Sequence, residues 1–237
     1  AARAAEARAR GLAGGWEVDL RIAVDGMIPV ARLYPSIARF DRQRKDTHVR
    51  VLSEPFGGCG DALRTDRADL AIGAAEEGPP DASTETRTLG VVRFAFVVPP
   101  GHPLANAREP IPSSEIRTHR SISTADGTRL VARRIHAPLE GQRVLTVPDL
   151  EAKVEAHCAG LGVGFLPRWL AEREVAAGRL LIKAVEEPKE DVRLSIAWHS
   201  DRGGEAREWF IEHLESPKVR AALIAGRGRR TMRREGR

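Results

Sequence analysis

The sequence contains little cysteine and no long uncharged run. Cys59 and Cys158 are the only cysteines among 237 residues, and two cysteines cannot supply the disulfide framework of a small secreted domain. Every stretch of about 18 residues contains charge, so no membrane-spanning helix is predicted. Residues 1–10 carry three arginines with no apolar stretch after them, which is unlike a secretory signal. We therefore expect a cytoplasmic protein with no membrane partner.

Recognised catalytic and nucleotide-binding motifs are absent as well. The sequence has no G-x-S-x-G elbow, no glycine–lysine–Ser/Thr phosphate loop, no H-E-x-x-H and no C-x-x-C. The glycine-rich run 160–164 follows a predicted helix and opens a strand, the reverse of a dinucleotide fingerprint, and Phe165 stands where its last glycine belongs. His157 and Cys158 are adjacent and lack further ligands at metal spacing. The sequence therefore predicts no metal, no cofactor and no enzymatic activity.

The net charge of +5 comes from one end of the chain. Residues 226–237 hold six arginines and one glutamate, which leaves 38 − 6 = 32 basic and 33 − 1 = 32 acidic residues elsewhere. The folded body is thus neutral, and residues 217–237 are predicted to form a basic, disordered tail. This distribution does not predict a nucleic-acid-binding face on the body.

Strands and helices alternate along the chain, which is typical of a sheet covered by helices on both sides. A helix is predicted over 1–10, and a second one, kinked or restarted at Pro35, over 30–45. Later helices are predicted over 57–67, 149–159, 168–177 and 205–214. The predicted strands lie at 18–24, 48–54, 69–73, 89–98, 119–123, 143–147, 160–167 and 192–199. Pro99, Pro100 and Pro103 separate two α/β units.

The two cysteines are predicted to differ in exposure. Cys158 lies on an apolar helix face with Leu150 and Val154, so it is expected to be a small core residue. Cys59 stands between Gly58 and Gly60, where exposure to ligand or solvent is expected.

Five segments in a fixed order resemble the effector-binding domain of LysR-type bacterial transcriptional regulators. They are 18–24 followed by the helix at 33–40, 63–73 ending in ADLAIG, 96–105 with the sequence FVVPPGHPLA, 147–150 with VPDL, and 159–167 with AGLGVGFLP. The resemblance implies an α/β fold like that of type 2 periplasmic binding proteins, in which two lobes joined by two crossover strands enclose a ligand cleft.

Family membership also implies boundaries and partners. Lobe I is expected to comprise 17–97 and 199–216, and lobe II is expected to comprise 98–198. Residues 1–16 are interpreted as the end of a linker helix. Promoter DNA would be bound by an N-terminal winged helix-turn-helix that this sequence does not include. The expected partners are a small-molecule effector and the chain itself, as a homodimer or, in the full-length regulator, a tetramer.

The candidate effector site follows from the rule that ligands bind beyond the carboxyl ends of strands in open α/β sheets. Its predicted residues are Asp25, Gly26, Met27, Ile28, Phe56, Gly57, Gly58, Ser121, Ser123, Thr124, Gly162 and Val163. The predicted hinge residues are Val97, Val98, Pro99, Trp198, His199 and Ser200. Many relatives place a hydroxyl after the first strand, whereas Asp25 stands at that turn here. The carboxylate there favours an amino or hydroxyl group of the effector.

Two other functions share this predicted fold. A secreted solute-binding protein would have the same lobes, and the linker-like segment 1–16 argues against it. An enzyme acting on small acids, such as a dehydratase or deaminase, would need an acid–base pair at a recognisable spacing, which the sequence does not show.

Overall fold

The computed structural model describes residues 15–43, 46–55, 57–75, 83–125 and 139–224. The predicted helix at 1–10, Phe56 of the predicted site and residues 225–237 lie outside this part of the chain. Over the described ranges, no helix has both the length and the apolar character needed to cross a bilayer.

The first sheet contains five strands within the described residues, in the order β2-β1-β3-β10-β4. Their bounds are β1 Asp19–Asp25, β2 His48–Glu54, β3 Leu70–Ala75, β4 Thr84–Val92 and β10 Val192–His199. β1, β2 and β3 are parallel, and β10 runs antiparallel to β3 and β4. Alternate residues of β1 point to opposite faces, so Ile22 packs in the main core while Ala23 packs in a second core. Both faces of this sheet are therefore covered, as predicted.

Helices on the two faces of this sheet supply the partners for those cores. α1 (Tyr34–Gln43) and α6 (Glu205–Glu215) cover the main core, where Phe40 packs against Trp209 and Phe210 with ring centroids 5.1 and 5.0 Å apart. α2 (Gly58–Arg64) covers the second core. The helix predicted over 30–45 starts as a 3-10 turn at Val30–Arg32 and restarts at Tyr34. Pro35 fits in this first turn because proline lacks an N–H and the N–H groups of a first turn have no partner within the helix.

A second set of elements lies between β4 and β10 in the chain. β5 (Phe94–Val98) pairs antiparallel with β8 (Gly164–Pro167) and β9 (Leu181–Lys183). β6 (Ser121–Thr124) and β7 (Val144–Val147) form a parallel pair. The helices are α3 (Ser113–Ile116), α4 (Leu150–Cys158) and α5 (Arg168–Ala176). The strand predicted over 160–167 is confirmed only from Gly164, and β9 was not predicted.

The strand pairing corrects the predicted lobe boundaries and hinge. β10 belongs to the first sheet, so residues 192–198 do not lie in lobe II, and β5 belongs to the second sheet from Phe94 onward. The predicted hinge residues Val97, Val98, Trp198 and His199 lie inside strands, with Pro99 and Ser200 just beyond them. The chain instead passes between the sheets at Arg93 and again between Lys183 and Val192. Sequence periodicity identifies a strand but not its neighbour, which is why these boundaries were misplaced.

The prediction of a disordered tail from residue 217 is also wrong for its first part. Residues Pro217–Ile224 form a helix, α7. It packs against β4, where Arg220 Nη1 donates to the Thr88 carbonyl oxygen at 3.0 Å and the Ile224 side chain lies over Gly90. Tertiary contacts thus stabilise a segment too short to be helical by itself.

Candidate functional site

The carboxyl ends of β1 and β2 meet at one edge of the first sheet. Asp25 and Glu54 are register partners, and the Gly26 N–H donates to the Glu54 carbonyl oxygen at 2.8 Å. The Asp25 carboxylate is buried, and its Oδ1 accepts a hydrogen bond from the Met27 N–H at 2.9 Å. This short turn follows the last residue of β1 and lies at the edge of the sheet.

Two predicted site residues on this turn have side chains that are buried in the protein. Met27 and Ile28 are 1% and 2% exposed and pack in the main core. Their side chains therefore belong to the core, and their N–H groups donate to Asp25 Oδ1 and to the Asp25 carbonyl oxygen. The sequence could not distinguish these roles, because an apolar residue after a strand fits either one.

Gly57 and Gly58 follow β2 and allow the chain to pass close to Glu54. Gly57 has a φ of 75°, and a Cβ at Gly58 would lie 2.8 Å from Glu54 Oε2. Glu54 in turn pairs with Arg67, and this hydrogen bond raises the pKa of the Arg67 guanidinium. Arg67 also lies 3.6 Å from the buried Asp61. Arginine thus compensates the carboxylates that follow β2.

Cys59 is fully buried, which corrects the expectation of an exposed thiol. It packs in the second core with Ala62 and Ala71, and its Sγ lies 3.8 Å from the Ile72 carbonyl oxygen. Burial, with the nearby carboxylates of Asp25 and Glu54, raises the thiol pKa well above its ordinary value. Cys158 is partly buried beside the core that contains Val154, as predicted for a small core residue.

The predicted residues of the second unit form a separate group around β6. Ser121, Ser123 and Thr124 are partly exposed. Ser121 forms an isolated parallel β-bridge with Val163, and the Ile122 N–H donates to the Val163 carbonyl oxygen at 3.0 Å. The Val163 side chain is fully buried, so any ligand contact from Val163 would have to come from its backbone.

Gly162 belongs to the same group because its carbonyl orients a buried histidine. His157 Nδ1 lies 3.1 Å from the Gly162 carbonyl oxygen, and His157 Nε2 has no hydrogen-bond partner within the described ranges. Burial, and then the neighbouring Lys153, lower the pKa of His157 to about 3. Gly162 itself has no room for a side chain, because a Cβ would lie 2.5 Å from the Arg120 carbonyl oxygen.

Two lysines near this group were not predicted as site residues. Lys153 lies in the first turn of α4, just beyond the carboxyl end of β7, and burial lowers its pKa to about 8. The Lys189 ammonium lies 3.8 Å from the centroid of the Phe94 ring. Burial and the nearby Lys153 lower the Lys189 pKa to about 6. The chain has only five lysines among 38 basic residues. This scarcity was the one feature of the sequence that could have drawn attention to Lys153 and Lys189.

The described residues contain no group of three or more histidine, cysteine, aspartate or glutamate side chains arranged to hold a metal ion. The predicted site residues thus fall into two groups, one at the sheet edge with Asp25, Gly57 and Gly58, and one on β6 with Ser121, Ser123 and Thr124. Hydroxyls such as these, and an ammonium group such as that of Lys153, can orient a small polar molecule.

Sequence comparison identifies relatives over most of the chain. A family profile described as LysR substrate binding domain matches residues 13–217. The HTH-type transcriptional regulator YeeY of Escherichia coli K12 is 33% identical over 223 residues, covering 94% of this chain and 72% of YeeY. PunR of the same strain, another HTH-type transcriptional regulator, is 31% identical over 203 residues, covering 86% of this chain and 66% of PunR.

Solved structures agree on the fold. The Synechocystis PCC6803 CcmR regulatory domain, solved in complex with 2-PG, superimposes with a TM-score of 0.63 at 19% identity, covering 83% of this chain and 95% of that one. The QuiR effector binding domain, solved with shikimate, gives 0.62 at 16% identity, covering 83% and 94%. The fold is thus that of type 2 periplasmic binding proteins. The chain belongs to the LysR substrate binding domain family, the ligand-sensing part of LysR-type transcriptional regulators.

Proposed function

We propose that this chain binds a small organic anion between its two α/β units and that binding changes their relative orientation. The ligand would contact the backbone around Asp25, Gly26, Gly57 and Gly58 on one side. On the other side it would meet the Ser121, Ser123 and Thr124 hydroxyls, the backbone of Gly162 and Val163, and Lys153.

The observation that carries the proposal is the environment of Lys153. Among the described residues, no carboxylate pairs with this partly buried ammonium, although burying a cation without a counterion is costly. Burial accordingly lowers the pKa of Lys153 to about 8. A carboxylate or phosphate on the ligand would supply the missing charge and restore the Lys153 pKa.

Two ligand complexes of structural neighbours support this chemistry. CcmR was solved with 2-PG and QuiR with shikimate, and shikimate carries a carboxylate. Both proteins share only the fold with this chain, so the compounds serve as starting probes.

The two crossings between the sheets are the proposed hinge. Closure around a ligand would bend the chain at Arg93 and between Lys183 and Val192. In a full-length regulator this movement would reach the DNA-binding domains. Coupling of about 1–3 kcal/mol between two sites is typical of allosteric proteins. We further propose a cytoplasmic homodimer that binds promoter DNA through a separate domain and has no catalytic activity.

The test is a thermal-shift titration with potassium salts of small carboxylates and phosphates, starting with shikimate and 2-PG. A ligand at about 100 times its Kd stabilises the folded state by roughly 2.7 kcal/mol, which raises Tm clearly. Lys153→Gln should abolish most of the shift, and Lys153→Arg should retain it. Lys218→Gln is the matched control, because Lys218 is exposed on α7.

A second variant tests the position of the site. Replacing Ser121 and Ser123 together with leucine should remove the thermal shift by filling the space beside β6. A shift that survives both this change and Lys153→Gln would show that the ligand binds elsewhere.

A further inference from the structure

A groove separate from the proposed effector site lies where the chain first crosses between the sheets. It has a volume of about 420 Å³ and is bordered by the end of β4, the first turns of α5 and the last turns of α7. Cavities of roughly 300–1,000 Å³ are the size that small ligands occupy. None of the residues proposed for the effector site lines this groove. We call it the hinge groove.

The hinge groove has an apolar floor. Trp169 and Ile224 are partly exposed and line it together with Val91, which is 43% exposed, whereas Val92 is buried beneath it. Contiguous apolar residues that remain exposed in a concave surface are characteristic of a binding site. An aromatic ring would bury this surface better than a flexible polar molecule.

The lining of the groove includes three arginines and one glutamate, and two of the three arginines have a carboxylate partner. Arg168 pairs with Glu172 at 2.9 Å, and Arg93 lies 3.7 Å from Asp191. Arg220 also lines the groove, and its guanidinium donates to the Thr88 carbonyl oxygen. In the part of the chain that the structure describes, no carboxylate pairs with Arg220. One guanidinium charge is therefore available to an anion.

Arg32 adds a second charge next to the groove. Its guanidinium lies 4.3 Å from the centroid of the Trp169 ring and donates to the carbonyl oxygens of Leu223 and Ile224. The Trp169 Nε1–H is buried and has no hydrogen-bond acceptor among the described residues. The indole is thus held by packing and by Arg32, and no hydrogen bond fixes its position.

We infer that the hinge groove is a second small-molecule site that takes an aromatic anion. Its ring would pack between Val91 and Trp169, and its carboxylate or sulfonate would pair with Arg220. The arginine-rich residues 225–237 do not suit the groove, because they carry the same sign of charge. A ligand here would contact β4 and α7 of the first unit and α5 of the second, and would therefore affect the same crossing that effector binding bends.

The probe for this site is 8-anilinonaphthalene-1-sulfonate, whose fluorescence rises when its rings leave water. N-phenyl-1-naphthylamine has the same rings without the sulfonate and reports the apolar contribution alone. Arg220→Gln should weaken binding of the sulfonate at least fivefold and leave binding of the neutral compound unchanged. Val91→Asp should weaken both. Arg117→Gln is the matched control, because Arg117 is exposed and does not line the groove.

Energy transfer from tryptophan locates the probe. The chain has four tryptophans, so Trp169→Phe should lower the transfer to the bound sulfonate more than Trp16→Phe does. Arg220→Lys keeps the positive charge and should retain binding, which separates loss of the charge from a disturbance of α7. Lys153→Gln should leave the titration unchanged, so failure of the effector-site proposal is distinguishable from failure of this one. Equal affinity of the parent and Arg220→Gln proteins for the sulfonate, with both folded by circular dichroism, would overturn the inference.

Discussion

The imidazole of His157 is held by the carbonyl oxygen of Gly162, 3.1 Å from Nδ1, in a fully buried position. A carbonyl can only accept, so Nδ1 carries the proton and Nε2 is the unprotonated nitrogen. Protonation of Nε2 would place a charge in a buried site without a partner. The geometry therefore agrees in direction with the lowered pKa of His157, which is about 3.

This relationship predicts a loss of stability in mild acid. The folded-state pKa of about 3 lies below the ordinary value of 6.5, so the unfolded chain binds a proton that the folded protein excludes. Stability is then lost as the pH falls from about 6.5 toward 3. Between pH 6.5 and 5 the loss from this group alone is about 1.5 kcal/mol. Urea denaturation at several pH values measures it.

The comparison variant for this prediction is His157→Asn, which should flatten the pH dependence over that interval even if it lowers stability overall. His48→Asn is the control for replacing a histidine, because His48 is exposed on β2. A slope in His157→Asn equal to that of the parent protein would show that other groups dominate.

The two thiols should differ in reactivity. Burial raises the pKa of both thiols, but Cys59 is fully buried and its pKa lies well above the ordinary value, whereas Cys158 is partly exposed. Ellman's reagent should therefore titrate one thiol in the native protein and two after unfolding, because the thiolate must be both formed and accessible. Cys158→Ala should remove the native reaction. Rapid native labelling of Cys158→Ala protein would contradict the buried position of Cys59.

Local sequence patterns predicted the helices and strands more accurately than they predicted which strands pair with each other. The strand predicted over 18–24 corresponds to β1, and the helix predicted over 149–159 corresponds to α4, whose N-cap Asp149 accepts from the Ala152 N–H at 2.8 Å. The sheet to which β10 belongs depends on pairing with β3 and β4, which are more than 100 residues away in the chain. No local pattern contains that information.

The site residues show the same division. The glycines were predicted as site residues because they follow the carboxyl ends of strands, and Gly57 does lie at a turn with a positive φ. The interior position of Cys59 and the unpaired charge of Lys153 depend on which atoms surround them. Residue type alone cannot show whether a thiol is covered or an ammonium has a counterion.

The N-terminus of α6 should depend on a residue from the other end of the chain. Glu17 accepts hydrogen bonds from the N–H groups of Gly204 at 2.7 Å and Ala206 at 2.8 Å. Gly204, at the N-cap of α6, has no side chain to cap the helix. Glu17→Ala should lower the free energy of unfolding by about 1–2 kcal/mol, the usual cost of losing a cap.

The control for the cap is Glu190→Ala, because Glu190 is exposed and lies in the segment before β10. Chemical denaturation of both variants gives the comparison. Equal stabilities would mean that water satisfies the α6 N–H groups as well as Glu17 does.

Close packing at Gly73 should be essential to the edge of the first sheet that carries Asp25. Gly73 has a φ of +94°, and a Cβ there would lie 2.8 Å from the Asp25 Cβ and 3.0 Å from Ile28 Cδ1. Gly178 has a φ of +72° with open space around it, so Gly178→Ala measures the backbone strain alone. Gly73→Ala should cost about 1–3 kcal/mol more than Gly178→Ala, because it adds overpacking to the strain. Chemical denaturation measures both, and equal costs would show that Asp25 and Ile28 can move aside.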